Sequence, residues 1–284
     1  MKIGFIGLGI MGKPMALNIA KKHDDKVFVY DHHQENIDAL VAAGAVACAD
    51  EVEVIKQVDT VITMVPRSEN TRDAYTLMLP YLKEGMACID MSTIDPAVSV
   101  EVSEMVKKTG ARFVDAPVVK SKAAAEAGEL GIYVGGTDDD YEYVKPILDY
   151  MGNNVMHLGG NGSGLVMKVL HNGLVGQIQN GVNETMNLGE RYGISPETFA
   201  QAIAIGGAQN SYLNNKAAVI ASKDWSPAFS VKNMHKDAHF FLNMAADKGF
   251  HAPGAENVVR VYDEAMEAGF AANDFSETYE IVGR

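Results

Sequence analysis

Lys168 and Asn172 are the pair best placed, by residue type and spacing, to move a proton. They lie in Gly159-Gly160-Asn161-Gly162-Ser163-Gly164-Leu165-Val166-Met167-Lys168-Val169-Leu170-His171-Asn172, where a glycine-rich stretch runs into an apolar helical pattern. Lys168 falls about one turn into that pattern and Asn172 four residues later, so both share a helix face. Taking a lysine out of water is costly unless its charge is used. Desolvation and nearby cations lower its pKa and make it a proton donor or acceptor near neutral pH. The bland alternative is a structural lysine whose amine snorkels to the surface. Spacing alone does not choose between the two.

A second chemical signal opens the chain. Gly7, Gly9 and Gly12 make G-x-G-x-x-G between an apolar run at 2–6 and a helical pattern starting at Ile10. That is the strand-turn-helix context of a dinucleotide loop. Gly7 would permit the tight turn, Gly9 would let backbone approach a pyrophosphate, and Gly12 would let helix and strand pack closely. The helix N-terminus would face the negative charge. A second strand, at 26–30, ends in Asp31. A carboxylate there accepts hydrogen bonds from the adenosine ribose and repels a 2′-phosphate, which favours NAD over NADP. His32 and His33 stand beside it and, if charged, would soften that preference, so NADP stays admitted. A helix cap or turn residue is the alternative reading of Asp31.

These residues need elements to hold them. Up to about residue 158, short apolar runs alternate with helical segments. Strands are expected at 2–6, 26–30, 45–48, 59–65, 86–90, 112–116, 130–135 and 154–157, and helices at 10–22, 34–43, 68–79, 96–109 and 138–151. Such alternation predicts a doubly wound, mostly parallel sheet. After Gly164 the strand signals stop, and helices are expected at 164–193, 196–205, 209–222, 231–249, 253–268 and 275–281. The first of these is long and apolar on most faces, which predicts a spine buried on both sides. The fold class is therefore α/β: an N-terminal Rossmann-type domain at 1–162 and an all-helical substrate and oligomerisation domain at 163–284, joined by the long helix.

In a doubly wound sheet, ligands sit beyond the carboxyl ends of the strands. The segments found there are Val65-Pro66-Arg67-Ser68, Asp90-Met91-Ser92-Thr93-Ile94-Asp95-Pro96 and Asp115-Ala116-Pro117-Val118-Val119-Lys120-Ser121-Lys122. Their hydroxyls and lysines gather where a small anionic substrate would meet the nicotinamide. Ser92 also reads as a helix N-cap ahead of Pro96, and Lys120 and Lys122 as a solvated loop.

Bulk properties narrow the class. The 284 residues are 47% hydrophobic and 21% charged, as in an ordinary globular protein. A net charge of −13 disfavours nucleic acid and anionic membranes as partners. No apolar stretch approaches the ~20 residues that span a bilayer. The first 20 residues resemble a signal peptide, but the glycine spacing, Lys13 and Pro14 argue for the nucleotide loop. Cys48 and Cys88 read as buried thiols of a reducing, cytoplasmic compartment. His235 and His239 are four apart, but the sequence shows no third ligand beside them, so no metal is assigned.

Four blocks, in order, resemble one family: the glycine loop with Met11, Gly12 and Pro14; Asp-Met-Ser-Thr-Ile-x-Pro at 90–96; Asp-Ala-Pro-Val at 115–118; and Gly-x-x-Gly-x-Gly-x-x-x-Lys-x-x-x-Asn at 159–172. Phe229 through Lys236-Asp237 resembles that family's cofactor-closing segment. The chain is similar to β-hydroxyacid dehydrogenases of the 3-hydroxyisobutyrate dehydrogenase type. The resemblance implies hydride transfer between NAD(H) and a 3-hydroxy acid or its semialdehyde. It implies that Lys168 exchanges the proton of the carbinol oxygen, that Asn172 orients substrate and that Ser92 binds its acidic group. Thr93 would hold the nicotinamide ribose. Gly7, Gly9, Ile10, Met11, Gly12, Asp31, Val65 and Pro66 would line the dinucleotide, and Lys236 would close over cofactor or substrate. The chain departs from the usual Ser-Gly-Gly after Asp-Ala-Pro-Val, having Val119-Lys120-Ser121 instead. That segment resembles the branch that reduces sulfolactaldehyde, and it implies that Lys120, with Ser121, meets a sulfonate, a phosphonate or a second carboxylate. The alternatives are a carboxylate-only substrate and a non-catalytic dinucleotide-binding module. A homodimer or homotetramer is expected.

Overall fold

The computed structural model describes residues 1–283. Contacts divide the chain into two compact units, Met1–Lys168 and Val169–Arg284. In the first, β1 (Ile3–Ile6), α1 (Gly12–Lys22), β2 (Val27–Tyr30), α2 (Gln34–Ala42), β3 (Val46–Ala47) and α3 (Glu51–Gln57) form one half of a parallel sheet. The other half follows with β4 (Thr60–Thr63), α4 (Ser68–Met78), β5 (Ala87–Asp90), α5 (Pro96–Lys107) and β6 (Arg112–Asp115). All pairs are parallel, in the order β3-β2-β1-β4-β5-β6. The order reverses between β1 and β4, which opens a crevice at their carboxyl ends. Every residue of β1, β4 and β5 is buried, as a sheet covered on both faces requires.

The expected single sheet is in fact two. Beyond β6 come β7 (Val118–Val119), α6 (Lys122–Ala127), β8 (Leu130–Val134), α7 (Asp138–Leu148) and β9 (Gly152–His157). β7, β8 and β9 form a separate three-stranded sheet, with β7 antiparallel to β8. Pro117 separates β6 from β7, and a proline cannot supply the ladder N–H. Three elements, α3, β7 and α6, are absent from the sequence-based expectation. Each is too short to show a period, although α3 carries a readable start signal. Asp50 accepts the N–H of Glu53 at 2.6 Å, and the Glu53 carboxylate accepts the N–H of Ala49 at 2.5 Å, a reciprocal cap.

The second unit is helical. α8 (Ser163–Arg191) begins in the first unit and runs 29 residues, or about 43 Å. α9 (Pro196–Ile203), α10 (Ser211–Ser222), α11 (Val231–Asp247), α12 (Pro253–Glu267) and α13 (Tyr279–Val282) follow. The expectation that α8 is buried on both sides needs correction. One stripe, Leu165, Val169, Asn172, Gly176, Gln179, Asn183 and Met186, is buried, whereas Val166, Leu170 and Leu174 are exposed. Glycines set the packing distance within this unit. A Cβ at Gly173 would strike the Phe241 ring, and one at Gly176 would come within 2.9 Å of Val258. On α8, buried Gln179 donates to Phe275 O at 2.6 Å and accepts from Tyr262 at 2.5 Å, whereas the buried Asn180 amide has no hydrogen-bond partner among the described residues.

Candidate active site

The glycine loop is shaped by contacts that exclude side chains. Gly7 has φ +93°, its N–H donates to Tyr30 O at 3.0 Å, and a Cβ there would overlap Met64 O. A Cβ on Gly12 would overlap Gly7 O, whereas a Cβ on Gly9 would meet no protein atom within 4 Å. Two glycines are thus demanded by the fold, whereas nothing in the protein itself requires one at position 9. No side chain caps the N-terminus of α1, and no acidic residue lies in its first turn. The positive end of its dipole is suited to an anion. Ile10 stays 59% exposed beside this turn, while Met11 is half-buried.

Asp31 sits where β2 ends and is fastened to the loop. Its carboxylate accepts from Leu8 N at 2.6 Å, His33 N at 2.8 Å and Asn36 Nδ2 at 3.2 Å. Burial alone would raise its pKa, but the N–H groups of His33 and Leu8 outweigh burial and hold it below the usual range. The residue is therefore an anion, as ribose recognition needs.

The loops after β4 and β5 are tied together. The buried Ser92 hydroxyl accepts from Val65 N at 2.9 Å, and Ser92 N donates to Asp90 Oδ1 at 3.1 Å. The helix cap of α5 is Asp95, which accepts from Ala97 N at 2.8 Å, so the cap reading of Ser92 is replaced. Ser92 holds two loops in register, with half-buried Thr93 next to it; Val65 is half-buried and Pro66 exposed. Burial pushes the Asp90 carboxyl up, against the opposing bonds from Ser92 and Thr63.

Asp115 has a role that the sequence reading missed. This buried carboxylate accepts from Gly162 N at 2.6 Å and Leu165 N at 2.9 Å, at the first turn of α8. Burial pushes its pKa up to about 6, with those N–H groups pulling the other way. Gly135 and Gly164 leave room for it, since a Cβ on either would press on its oxygens. Asp115 thereby fixes the start of the helix that carries half-buried Lys168 and buried Asn172.

Lys120 lies just past β7 and has φ +83°, a left-handed conformation that costs a lysine about 1 kcal/mol or more. Its exposed amine donates to Glu129 O at 2.6 Å and reaches Asn153 Oδ1 at 3.4 Å. Ser121 is the N-cap of α6, its hydroxyl accepting from Ala124 N at 3.4 Å.

In the second unit, Asn172 Nδ2 donates to Asp237 Oδ2 at 2.6 Å, and Lys236 Nζ donates to Asp237 Oδ1 at 2.7 Å. The Asp237 carboxylate is only 2% exposed and links the asparagine of α8 to the lysine of α11. Lys236 also lies 4.8 Å over the Phe240 ring. Contrary to expectation, His235 and His239 have a third potential ligand beside them. Asp263 of α12 meets both His235 and His239, at sequence separations of 28 and 24 that no local pattern reveals.

A six-stranded parallel sheet with a glycine-rich turn at its switch point, followed by a helical unit, defines a two-part protein with a dinucleotide-binding fold. Residues 2–159 match the family described as the NAD binding domain of 6-phosphogluconate dehydrogenase. Residues 162–282 match that described as NAD-binding of NADP-dependent 3-hydroxyisobutyrate dehydrogenase. The chain is 30% identical to 2-(hydroxymethyl)glutarate dehydrogenase of Eubacterium barkeri, over 99% of this chain and 94% of that protein. It is 32% identical to glyoxylate/succinic semialdehyde reductase 1 of Arabidopsis thaliana, over 99% and 98%. It is also 32% identical to human mitochondrial 3-hydroxyisobutyrate dehydrogenase, over 99% and 86%. A Mycobacterium tuberculosis 3-hydroxyisobutyrate dehydrogenase with L-serine superposes with a TM-score of 0.90 at 27% identity, covering 100% of this chain and 99% of that one. The chain belongs to the 3-hydroxyisobutyrate dehydrogenase family of NAD(P)-dependent oxidoreductases.

Proposed function

We propose that this enzyme transfers a hydride between NAD(H) and a small anionic 3-hydroxy acid or its semialdehyde, with Lys168 exchanging the proton. The observation that carries this reading is α8 itself. Asp115 anchors its first turn, and the helix presents Lys168 and Asn172 on one face, with Asn172 held by Asp237. Gly7, Gly9 and Gly12 fit a dinucleotide by the contacts described above, with Ile10, Met11, Val65, Pro66 and Thr93 beside it. When bound, the cofactor supplies or accepts the hydride.

The protein's part is to place substrate and move a proton. In oxidation, the Lys168 amine takes the carbinol proton as the carbon–hydrogen bond breaks. In reduction, its ammonium stabilises the growing alkoxide and protonates it. Asn172 orients the reacting oxygen, and Lys236 closes over the bound molecules. Asp31, anionic and tied to the loop, favours NAD over a cofactor bearing a 2′-phosphate.

Two substrate classes stay in play. The names of two relatives, the glyoxylate/succinic semialdehyde reductase and the 3-hydroxyisobutyrate dehydrogenase, favour a substrate whose one anion is a carboxylate. Lys120 favours a substrate with a second or stronger anion, such as sulfolactaldehyde. A lysine kept in a left-handed conformation, where glycine would be unstrained, points to a function for its side chain. The test is a reduction screen of short semialdehydes bearing carboxylate, sulfonate or phosphonate, with NADH and NADPH in parallel. The sulfonate reading expects Lys120→Ala to raise KM for the sulfonate substrate at least ~10-fold, about 1.4 kcal/mol of binding. An unchanged KM removes Lys120 from the site and leaves the carboxylate reading.

A further inference from the structure

Two histidines and an aspartate outside the expected active site converge on one point. His235 and His239 lie one turn apart on α11, and Asp263 faces them from α12. His235 Nε2 is 2.8 Å and His239 Nε2 3.1 Å from the same oxygen, Asp263 Oδ1, and the two Nε2 atoms are 3.2 Å apart. Ligands around a tetrahedral ion with bonds near 2.0 Å stand ~3.3 Å from one another. The three atoms therefore already outline one face of a coordination tetrahedron. Hydrogen bonding accounts for this triangle poorly. If both imidazoles donate to Asp263, two N–H groups crowd onto one oxygen and face each other. A cation at the centre satisfies all three lone pairs together.

We propose that His235, His239 and Asp263 bind an exchangeable divalent transition-metal ion, with zinc the best match. Two imidazole nitrogens and one carboxylate oxygen suit Zn²⁺, Co²⁺, Ni²⁺ or Cu²⁺ and not the all-oxygen preference of Mg²⁺ or Ca²⁺. The side chains are 27%, 42% and 47% exposed, so a fourth position stays open to water and the ion can leave. Bound metal would clasp α11 to α12. Asp237, two residues after His235, is turned ~200° around the helix from it. His239 and Asp263 therefore stand apart from the Asn172–Asp237 bond, and metal-free turnover does not depend on them.

The test is calorimetric titration of ZnCl2 into the full-length, tag-free, chelator-treated protein, with His239→Ala and Asp263→Asn in parallel. The expected result is one Zn²⁺ per chain, a metal-dependent rise in Tm, and the visible spectrum of tetrahedral Co²⁺ when cobalt replaces zinc. Loss of outer-shell partners alone costs metal sites 10–100-fold in affinity. Removing a direct ligand is therefore expected to cost at least ~100-fold, with metal-free dehydrogenase turnover unchanged. Circular dichroism confirms that each variant is folded, and the gentler Asp263→Asn carries the test if His239→Ala is not. Absence of zinc binding in the parent protein, or unchanged affinity in the folded variants, overturns the proposal.

Discussion

Replacing Asp115 with asparagine is expected to change how stability depends on pH. In the folded protein this carboxyl titrates at about 6, against an ordinary 3.8, because it is buried. Below about pH 4 it is neutral in folded and unfolded chains alike and contributes no pH dependence. Between the two values the folded state binds the proton more tightly, so stability falls as pH rises. Above about pH 6 the full cost of burying the charge is present. The difference from 3.8 to 6 corresponds to at most ~3 kcal/mol. Asparagine has the same shape, cannot titrate, and keeps one oxygen for the N–H groups of Gly162 and Leu165, now 2.6 and 2.9 Å from the carboxylate. Its own cost, the loss of one acceptor, is a near-constant ~1–2 kcal/mol. Urea midpoints of both proteins, measured from pH 4 to 8 at fixed salt and protein concentration, give the difference. The stability advantage of the parent over the variant should shrink by ~2–3 kcal/mol between pH 4 and 7. A gap that stays level across this range would refute the account of Asp115.

Further expectations concern the loop and the second unit. Gly9→Ala adds a methyl group that meets no protein atom, so Tm should hold within ~2 °C while the NADH Kd rises at least ~10-fold by fluorescence titration; an unchanged Kd would mean that no pyrophosphate approaches this backbone. Gly12→Ala, whose methyl group overlaps Gly7 O, should lose both stability and cofactor binding, which a thermal melt and the same titration read together. Asp237→Asn removes the charge shared by Asn172 and Lys236. A hydrogen bond to a charged group is worth ~1.5–3 kcal/mol, so kcat/KM should fall ~10–100-fold, and a steady-state assay showing less than a twofold change would detach this link from catalysis.

The sequence was most readable where local rules act alone. The glycine loop declares itself because the conformation of Gly7 and the tight packing at Gly12 are demands of the backbone. The parallel sheet is visible because β1, β4 and β5 are buried on both faces and read as apolar runs. Elements of fewer than two periods, such as β7 with two residues and α6 with six, leave no such trace. Long-range pairings were hidden for another reason. Asp115 serves α8 across 47 and 50 residues, and Asp263 reaches His235 and His239 across a helix boundary. Nothing in composition or period links such partners. The long helix misled because apolar residues on all sides suggest burial all round, yet Val166, Leu170 and Leu174 stay exposed in the chain.

The most direct test of the central claim is single-turnover reduction of an accepted semialdehyde by enzyme-bound NADH, compared between the parent protein and Lys168→Ala. Proton transfer by a placed side chain contributes ~10²–10⁴-fold. The hydride-transfer rate should fall by that factor, with the NADH Kd within about threefold of the parent. A variant that transfers hydride at the parental rate would contradict the assignment of Lys168 as the proton-exchanging group.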